Sequence, residues 1–154
     1  RAATDPEYRR AFVQEVRRFY PFFPAVIGRV QATFRWGDHD FPTGRQVVLD
    51  LYGTDHDATF WGDPECFRPE RRISASGGPY GVLPQGGGDH LSGHRCPGER
   101  IVIELMQRSV ELLATMDFRL PDQDLEVDFR RLPALPKSGF RMAVLRAPRG
   151  RGSG

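Results

Sequence analysis

The sequence predicts a mainly α fold with small β-sheets, of the α+β class. Residues 6–19 carry apolar side chains at helical spacing behind a capping Asp. A second run at helical spacing, apolar on most sides, follows Cys96. The other apolar runs are short, alternate with polar residues and lie between Gly- and Pro-containing turns. The chain has 154 residues, one domain's worth.

The first helix is expected from Pro6 to Phe19. Asp5 is a good N-cap, Pro6 suits the first turn and Pro21 ends the helix. Phe12, Val16 and Phe19 should form its buried stripe. Glu15 and Arg18, three apart, can meet; read alone, they form a solvated ion pair worth a few tenths of a kcal/mol. Pro21 and Pro24 hold the next stretch extended, and its four aromatics, Phe19, Tyr20, Phe22 and Phe23, read as core packing.

Residues 32–36 and 46–52 read as strands, with turns at Gly37-Asp38 and Phe41–Gly44. A short helix should open at Gly53 and end near Trp61. His56, beside two Asp residues, reads as a capping or hydrogen-bonded residue rather than a metal ligand. Residues 72–81 are rich in Ser and Gly, a loop. The second helix should run from Cys96 to about Thr115 and be buried. Leu125, Val127 and Phe129 alternate with charged residues as a half-exposed strand. Leu132–Phe140 is a turn into a last strand, Arg141 to Arg146. Residues 1–148 form one unit, and 149–154 a disordered tail.

The stretch from Gln85 to Met106 organises the chain. Three consecutive glycines, Gly86 to Gly88, can wrap closely around a bulky flat ligand. Cys96 then sits at the start of a helix, with Pro97 at the first helical position. Unpaired N–H groups and the positive end of the helix dipole favour a thiolate there, able to hold a metal from one side. On the residues alone, Cys96 also fits a small buried hydrophobe. The loop could equally cradle phosphate, although neither GK[ST] nor GxGxxG is present.

Net charge is +2, which gives no electrostatic case for nucleic acid. Lys137 is the only lysine. Cys66 and Cys96 form no disulfide framework and no CxxC, so a structural zinc site is not expected and a reducing, cytoplasmic compartment is. Neither a signal peptide nor an apolar run long enough to span a bilayer is read.

Taken in order, three motifs carry a resemblance. Glu15-Val16-Arg17-Arg18 resembles the ExxR of the cytochrome P-450 superfamily, Phe67-Arg68-Pro69-Glu70-Arg71 its PERF-like segment, and the loop through Cys96 its heme-thiolate loop. The loop departs from the common FxxGxRxCxG at Asp89, Ser92 and His94, and fits at Gly98. GHRCPGE after PQGGG is most similar to the bacterial fatty-acid peroxygenase branch, and the LPxLPxSGF stretch of residues 132–140 matches that branch too. The resemblance extends from about Pro6 to Arg146.

The resemblance implies the C-terminal, heme-proximal part of a cytochrome P-450 fold: K helix, meander, cysteine loop, L helix and terminal β hairpins. It implies heme b as cofactor, with Cys96 the catalytic axial ligand of the iron. Gln85, Gly86, His94, Pro97 and Gly98 would contact the cofactor, His94 by donating to a propionate and Gln85 by a hydrogen bond in place of an aromatic. Phe22 and Phe23 would line the fatty-acid channel. Glu15, Arg18 and Arg71 would form a buried charge cluster behind the loop. The implied activity is peroxide-driven hydroxylation, with decarboxylation as a variant, of long-chain fatty acids. Its partners are fatty acid, hydrogen peroxide and the N-terminal portion of the same enzyme, whose Arg-Pro pair grips the carboxylate. The isolated fragment is expected to be inactive. Two other readings stand beside it: a reductase-dependent monooxygenase of the same superfamily, and a truncated, non-catalytic remnant.

Overall fold

The computed structural model describes residues 1–20, 22–71 and 82–146. The expected helix stop at Pro21, the loop at 72–81 and the tail at 149–154 lie outside them. Helix α1 (Pro6–Phe19) has the expected bounds. The Asp5 carboxylate accepts from the Tyr8 N–H at 2.9 Å, which satisfies one orphan donor of the first turn. The buried face differs from the expected stripe. Phe12, Val16 and Phe19 are only half-buried, while Val13, Glu15, Arg17 and Arg18 are buried. The aromatic face is an edge: the Phe12 and Phe19 rings pack against Phe67, with centroids 5.4 and 5.6 Å away. The charged face meets partners from the rest of the chain, so it is the one that closes.

Among the described residues the strands form four two-stranded antiparallel sheets. β1 (Ala25–Arg29) pairs with β4 (Gln46–Asp50), Ala25 opposite Asp50 and Arg29 opposite Gln46. Between them β2 (Phe34–Trp36) and β3 (His39–Phe41) make a hairpin whose Phe34 and Phe41 rings stack at 4.8 Å. The strand expected over 46–52 stops at Asp50, because Asp50 caps the helix that follows. Its Oδ1 accepts from the Gly53 N–H at 2.7 Å, and α2 (Leu51–Asp55) takes the last two residues of the expected strand. α2 therefore starts and ends earlier than the helix expected from Gly53 to Trp61, and His56 is its C-cap.

A 3₁₀ turn (Pro69–Arg71) packs against α1. Helix α3 (Glu99–Leu113) starts at N-cap Gly98, not at Pro97, and its expected burial does not hold. Glu99 is its buried residue, whereas Ile101 and Leu105 are 66% and 61% exposed, since α3 turns one face to α1 and leaves the other uncovered. β5 (Asp117–Arg119) pairs with β8 (Ala143–Arg146), and β6 (Val127–Asp128) with β7 (Leu135–Pro136). The alternating 125–129 run thus contributes two strand residues, and part of the expected 132–140 turn is strand. Among the described residues no helix is long and apolar enough to cross a membrane.

Candidate functional site

The cysteine loop is closed by its own backbone. The Cys96 N–H donates to the Gln85 carbonyl at 2.9 Å, tying the loop's end to its beginning. The Cys96 carbonyl accepts from the Glu99 N–H at 3.1 Å, so Pro97 and Gly98 form a turn that delivers the chain into α3. The thiol is free and half-buried. Pro97 and His94 are exposed; Gly86 and Gly98 are half-buried.

Two glycines make this path possible. Gly86 has φ +87°, and a Cβ there would lie 2.1 Å from the His94 carbonyl oxygen. A Cβ on Gly93 would lie 2.7 Å from both the Asp89 nitrogen and oxygen. Asp89 shapes the bend between them. Its Oδ1 accepts from the Leu91 N–H at 2.8 Å and from the N–H and hydroxyl of Ser92 at 3.0 Å each, and these donors hold its carboxyl below the usual range.

Behind the loop stand two buried charge clusters. In the first, Glu15 accepts from Arg18 Nη2 at 2.8 Å and Nε at 3.0 Å, and from the Arg68 N–H at 2.9 Å. Arg71 Nε lies 3.5 Å from the same carboxylate, and the Arg71 guanidinium also donates to the carbonyls of Gly62, Asp63 and Cys66. Both Glu15 and Arg18 are buried, so the pair is not the solvated one that the bare spacing suggests. Burial pushes the Glu15 carboxyl up; the guanidiniums and the Arg68 N–H outweigh it and hold the group below its ordinary value.

The second cluster was not legible in the sequence. Arg17 and Glu99, from α1 and the first turn of α3, pair in the interior. Arg95 Nε donates to Glu99 at 2.5 Å, and His90 Nε2 lies 3.3 Å from it. Burial pushes Glu99 up, but Arg95 and Arg17 prevail and lower it. Gln85 makes hydrogen bonds through both of its oxygens: the side chain accepts from Arg17 Nε at 3.2 Å, the carbonyl from Cys96. Arg17 sits inside the ExxR motif, but nothing in the spacing connects it to a residue so far along the chain.

A third buried acid, Asp55, was also missed. It is 3% exposed, and its Oδ1 accepts from the Leu83 N–H at 3.2 Å, just before the loop, while its carbonyl accepts from Arg18 at 2.8 Å. Burial pushes its carboxyl up to about 7 against the opposing pull of Leu83, Arg18 and Arg17. His56 Nδ1 lies 3.0 Å from the Tyr52 carbonyl, in keeping with a hydrogen-bonded residue. Phe22 and Phe23 are exposed with rings edge to face at 4.8 Å, and the Phe22 carbonyl accepts from the Ala134 N–H at 2.9 Å. The 22–24 segment and the 132–140 segment therefore meet.

Among the described residues no group of three or more His, Cys, Asp and Glu could hold a metal ion. Cys96 is a single protein donor, so a metal at its sulfur would need its other ligands from a non-protein group. Gly86 and Gly93 let the loop fold tightly on its own backbone, which leaves the half-buried thiol as the donor to a group that would bring those ligands itself.

Comparisons with known proteins show the family and the fold. Residues 3–139 match the family model described as Cytochrome P450. The chain is similar to the structure of cytochrome P450SP alpha (CYP152B1) in complex with (R)-ibuprophen, with 56% identity and TM-score 0.82 over 92% of this chain and 35% of that one. It is similar to cytochrome P450EX alpha (CYP152N1) with myristic acid, with 42% identity and TM-score 0.77 over 88% of this chain and 34% of that one. Among curated proteins, Cytochrome P450 71A22 of Arabidopsis thaliana is 30% identical over 129 residues, 79% of this chain and 26% of that protein. The chain thus spans about a quarter of such curated relatives and about a third of the solved structures it matches.

Proposed function

The chain belongs to the cytochrome P450 family, and from that premise we propose that it is the heme-proximal portion of a peroxygenase that hydroxylates long-chain fatty acids. One observation carries the reading: a free, half-buried sulfur at the turn into α3, in a loop with no room for side chains at Gly86 and Gly93. The fatty acid in the P450EX alpha structure, whose chain is 42% identical to this one, supports the substrate class.

Cys96 would hold the heme iron through its sulfur, with Gly86, Pro97 and Gly98 beside it in the loop. Heme b bound there supplies the oxidising chemistry, in which a C–H bond and hydrogen peroxide become an alcohol and water. Gln85 fixes the sulfur's backbone by accepting from the Cys96 N–H. His94, exposed beside the loop, is available to donate to a heme propionate. The Glu15, Arg18 and Arg71 cluster holds α1 to the segment carrying the 3₁₀ turn behind the loop. Phe22 and Phe23, joined to Ala134, offer an apolar wall to the hydrocarbon chain. The substrate carboxylate would be gripped by the N-terminal portion of the enzyme and serve as the acid–base group for peroxide.

The test has two parts. The heme-loaded protein should show the red-shifted ferrous–CO band of a thiolate ligand, and Cys96→Ala should abolish it. Turnover of a long-chain fatty acid by the enzyme that includes the N-terminal portion should proceed with peroxide and no reductase, while the isolated chain should give none. A dependence on a reductase would replace this reading with the monooxygenase one.

A further inference from the structure

The Arg17 guanidinium uses all three nitrogens. It donates to Gln14 at 2.6 Å on its own helix, to the Gln85 side chain at 3.2 Å, and to Glu99. Gln85 opens the cysteine loop and Glu99 follows its end, so one side chain on α1 is tied to both sides of Cys96. Glu99 gathers the loop further: Arg95 bonds both carboxylate oxygens, at 2.5 and 3.2 Å, and His90 Nε2 lies 3.3 Å away. Arg17 and Glu99 are 7% and 4% exposed, so water competes little for these bonds. The Glu15–Arg18 cluster differs in kind, since it hydrogen-bonds to Arg68 and Asp55 and pairs ionically with Arg71, none of them in the loop.

We propose that Arg17, acting through Glu99 and Gln85, is the positioning residue that holds the Cys96 sulfur in its ligating orientation. The inference rests on the heme-thiolate reading for its consequence and on the hydrogen bonds above for its substance. A buried guanidinium with three fixed donor directions can bond to two separate partners at once, whereas an ammonium on a flexible stem is a single point. Releasing one end frees the Gln85 side chain, and the bond between the Gln85 carbonyl and the Cys96 N–H loses its support.

Arg17→Lys is the informative variant, because it keeps a cation beside Glu99 and strands no buried carboxylate. Amide hydrogen exchange is read on the protein with and without heme, at Cys96 and at Tyr20, whose N–H bonds to the Val16 carbonyl at the end of α1. The expected result is exchange at Cys96 at least tenfold faster with Tyr20 unchanged, and a ferrous–CO spectrum shifted partly from the thiolate to the neutral-thiol type. Unchanged exchange at Cys96 overturns the proposal. So does an equal acceleration at both amides, which marks general loosening, and so does a faster Cys96 amide with an unaltered spectrum. If Arg17→Lys does not fold, Glu99→Gln is read by the same criteria. Exchange in the heme-free protein keeps the two readings distinguishable. Loss of the Cys96→Ala effect on the spectrum defeats the heme-thiolate assignment, and an unmoved Cys96 amide defeats this one.

Discussion

Asp55→Asn should remove most of a pH dependence of stability. The carboxyl is 3% exposed, and burial raises it from 3.8 to about 7 in the folded chain. Unfolded, it ionises near its ordinary value, so between these two values the folded chain holds a proton that the unfolded chain has released. Stability from this group is therefore fully present below 3.8 and is lost as pH rises through about 7. At about 1.4 kcal/mol for each pH unit of separation, the loss amounts to ~4 kcal/mol as an upper limit. Asn keeps an oxygen to accept from the Leu83 N–H but carries no proton to lose. Among the described residues, the charges that act on the site are Arg18 and Arg17 from α1, and the substitution leaves both unchanged. Urea unfolding of wild type and Asp55→Asn at pH 5, 6, 7 and 8 reads the difference directly. Wild-type stability should fall relative to the variant by up to about 1.4 kcal/mol per pH unit until pH 7 and then run parallel. Parallel curves across the whole range would refute the reasoning.

Glu15→Gln should cost about 3–5 kcal/mol in denaturant unfolding, because it strands the buried Arg18 and weakens the hold on Arg71. Gly86→Ala should cost more than about 1 kcal/mol and weaken heme binding in a titration, since φ is +87° and the new Cβ meets the His94 carbonyl at 2.1 Å. The red-shifted ferrous–CO band should vanish in Cys96→Ala while unfolding midpoints change by no more than a half-buried thiol explains. Arg17→Lys should quicken exchange at Cys96 selectively.

How much was readable in the chain depended on how local the cause was. The bounds of α1 were legible to the residue because its cap and its proline lie within one segment, whereas its buried face was not, because the charged side chains that close it find their partners elsewhere in the chain. α2 was misplaced because Asp50 is at once a strand end and a cap, and periodicity cannot tell which claim prevails. β1 escaped because Pro24 and Gly28 dilute its apolar signal, and its partner β4 lies across an intervening hairpin. The cysteine loop was legible from its glycines, although the helix begins at Glu99 after a two-residue turn. The burial of α3 failed for the opposite reason: an apolar composition states what a helix prefers to meet, not what the folded chain brings to it. Arg17, Glu99 and Asp55 were invisible because each meets its partners through tertiary contact, and a charged residue in sequence looks the same whether it faces water or a buried counter-ion.

The hydrogen bond from the Cys96 amide to Gln85 also decides how electron-rich the sulfur can be. That amide is spent on a carbonyl, Pro97 brings no N–H, and the Glu99 amide is spent on the Cys96 carbonyl. Of the four residues from Cys96 to Glu99, only Gly98 has an N–H left to draw charge off the sulfur. If Cys96 ligates heme as proposed, a sulfur so sparsely hydrogen-bonded by its own backbone would donate strongly to the iron, and the Gly98 N–H is the place where the chain could retune it.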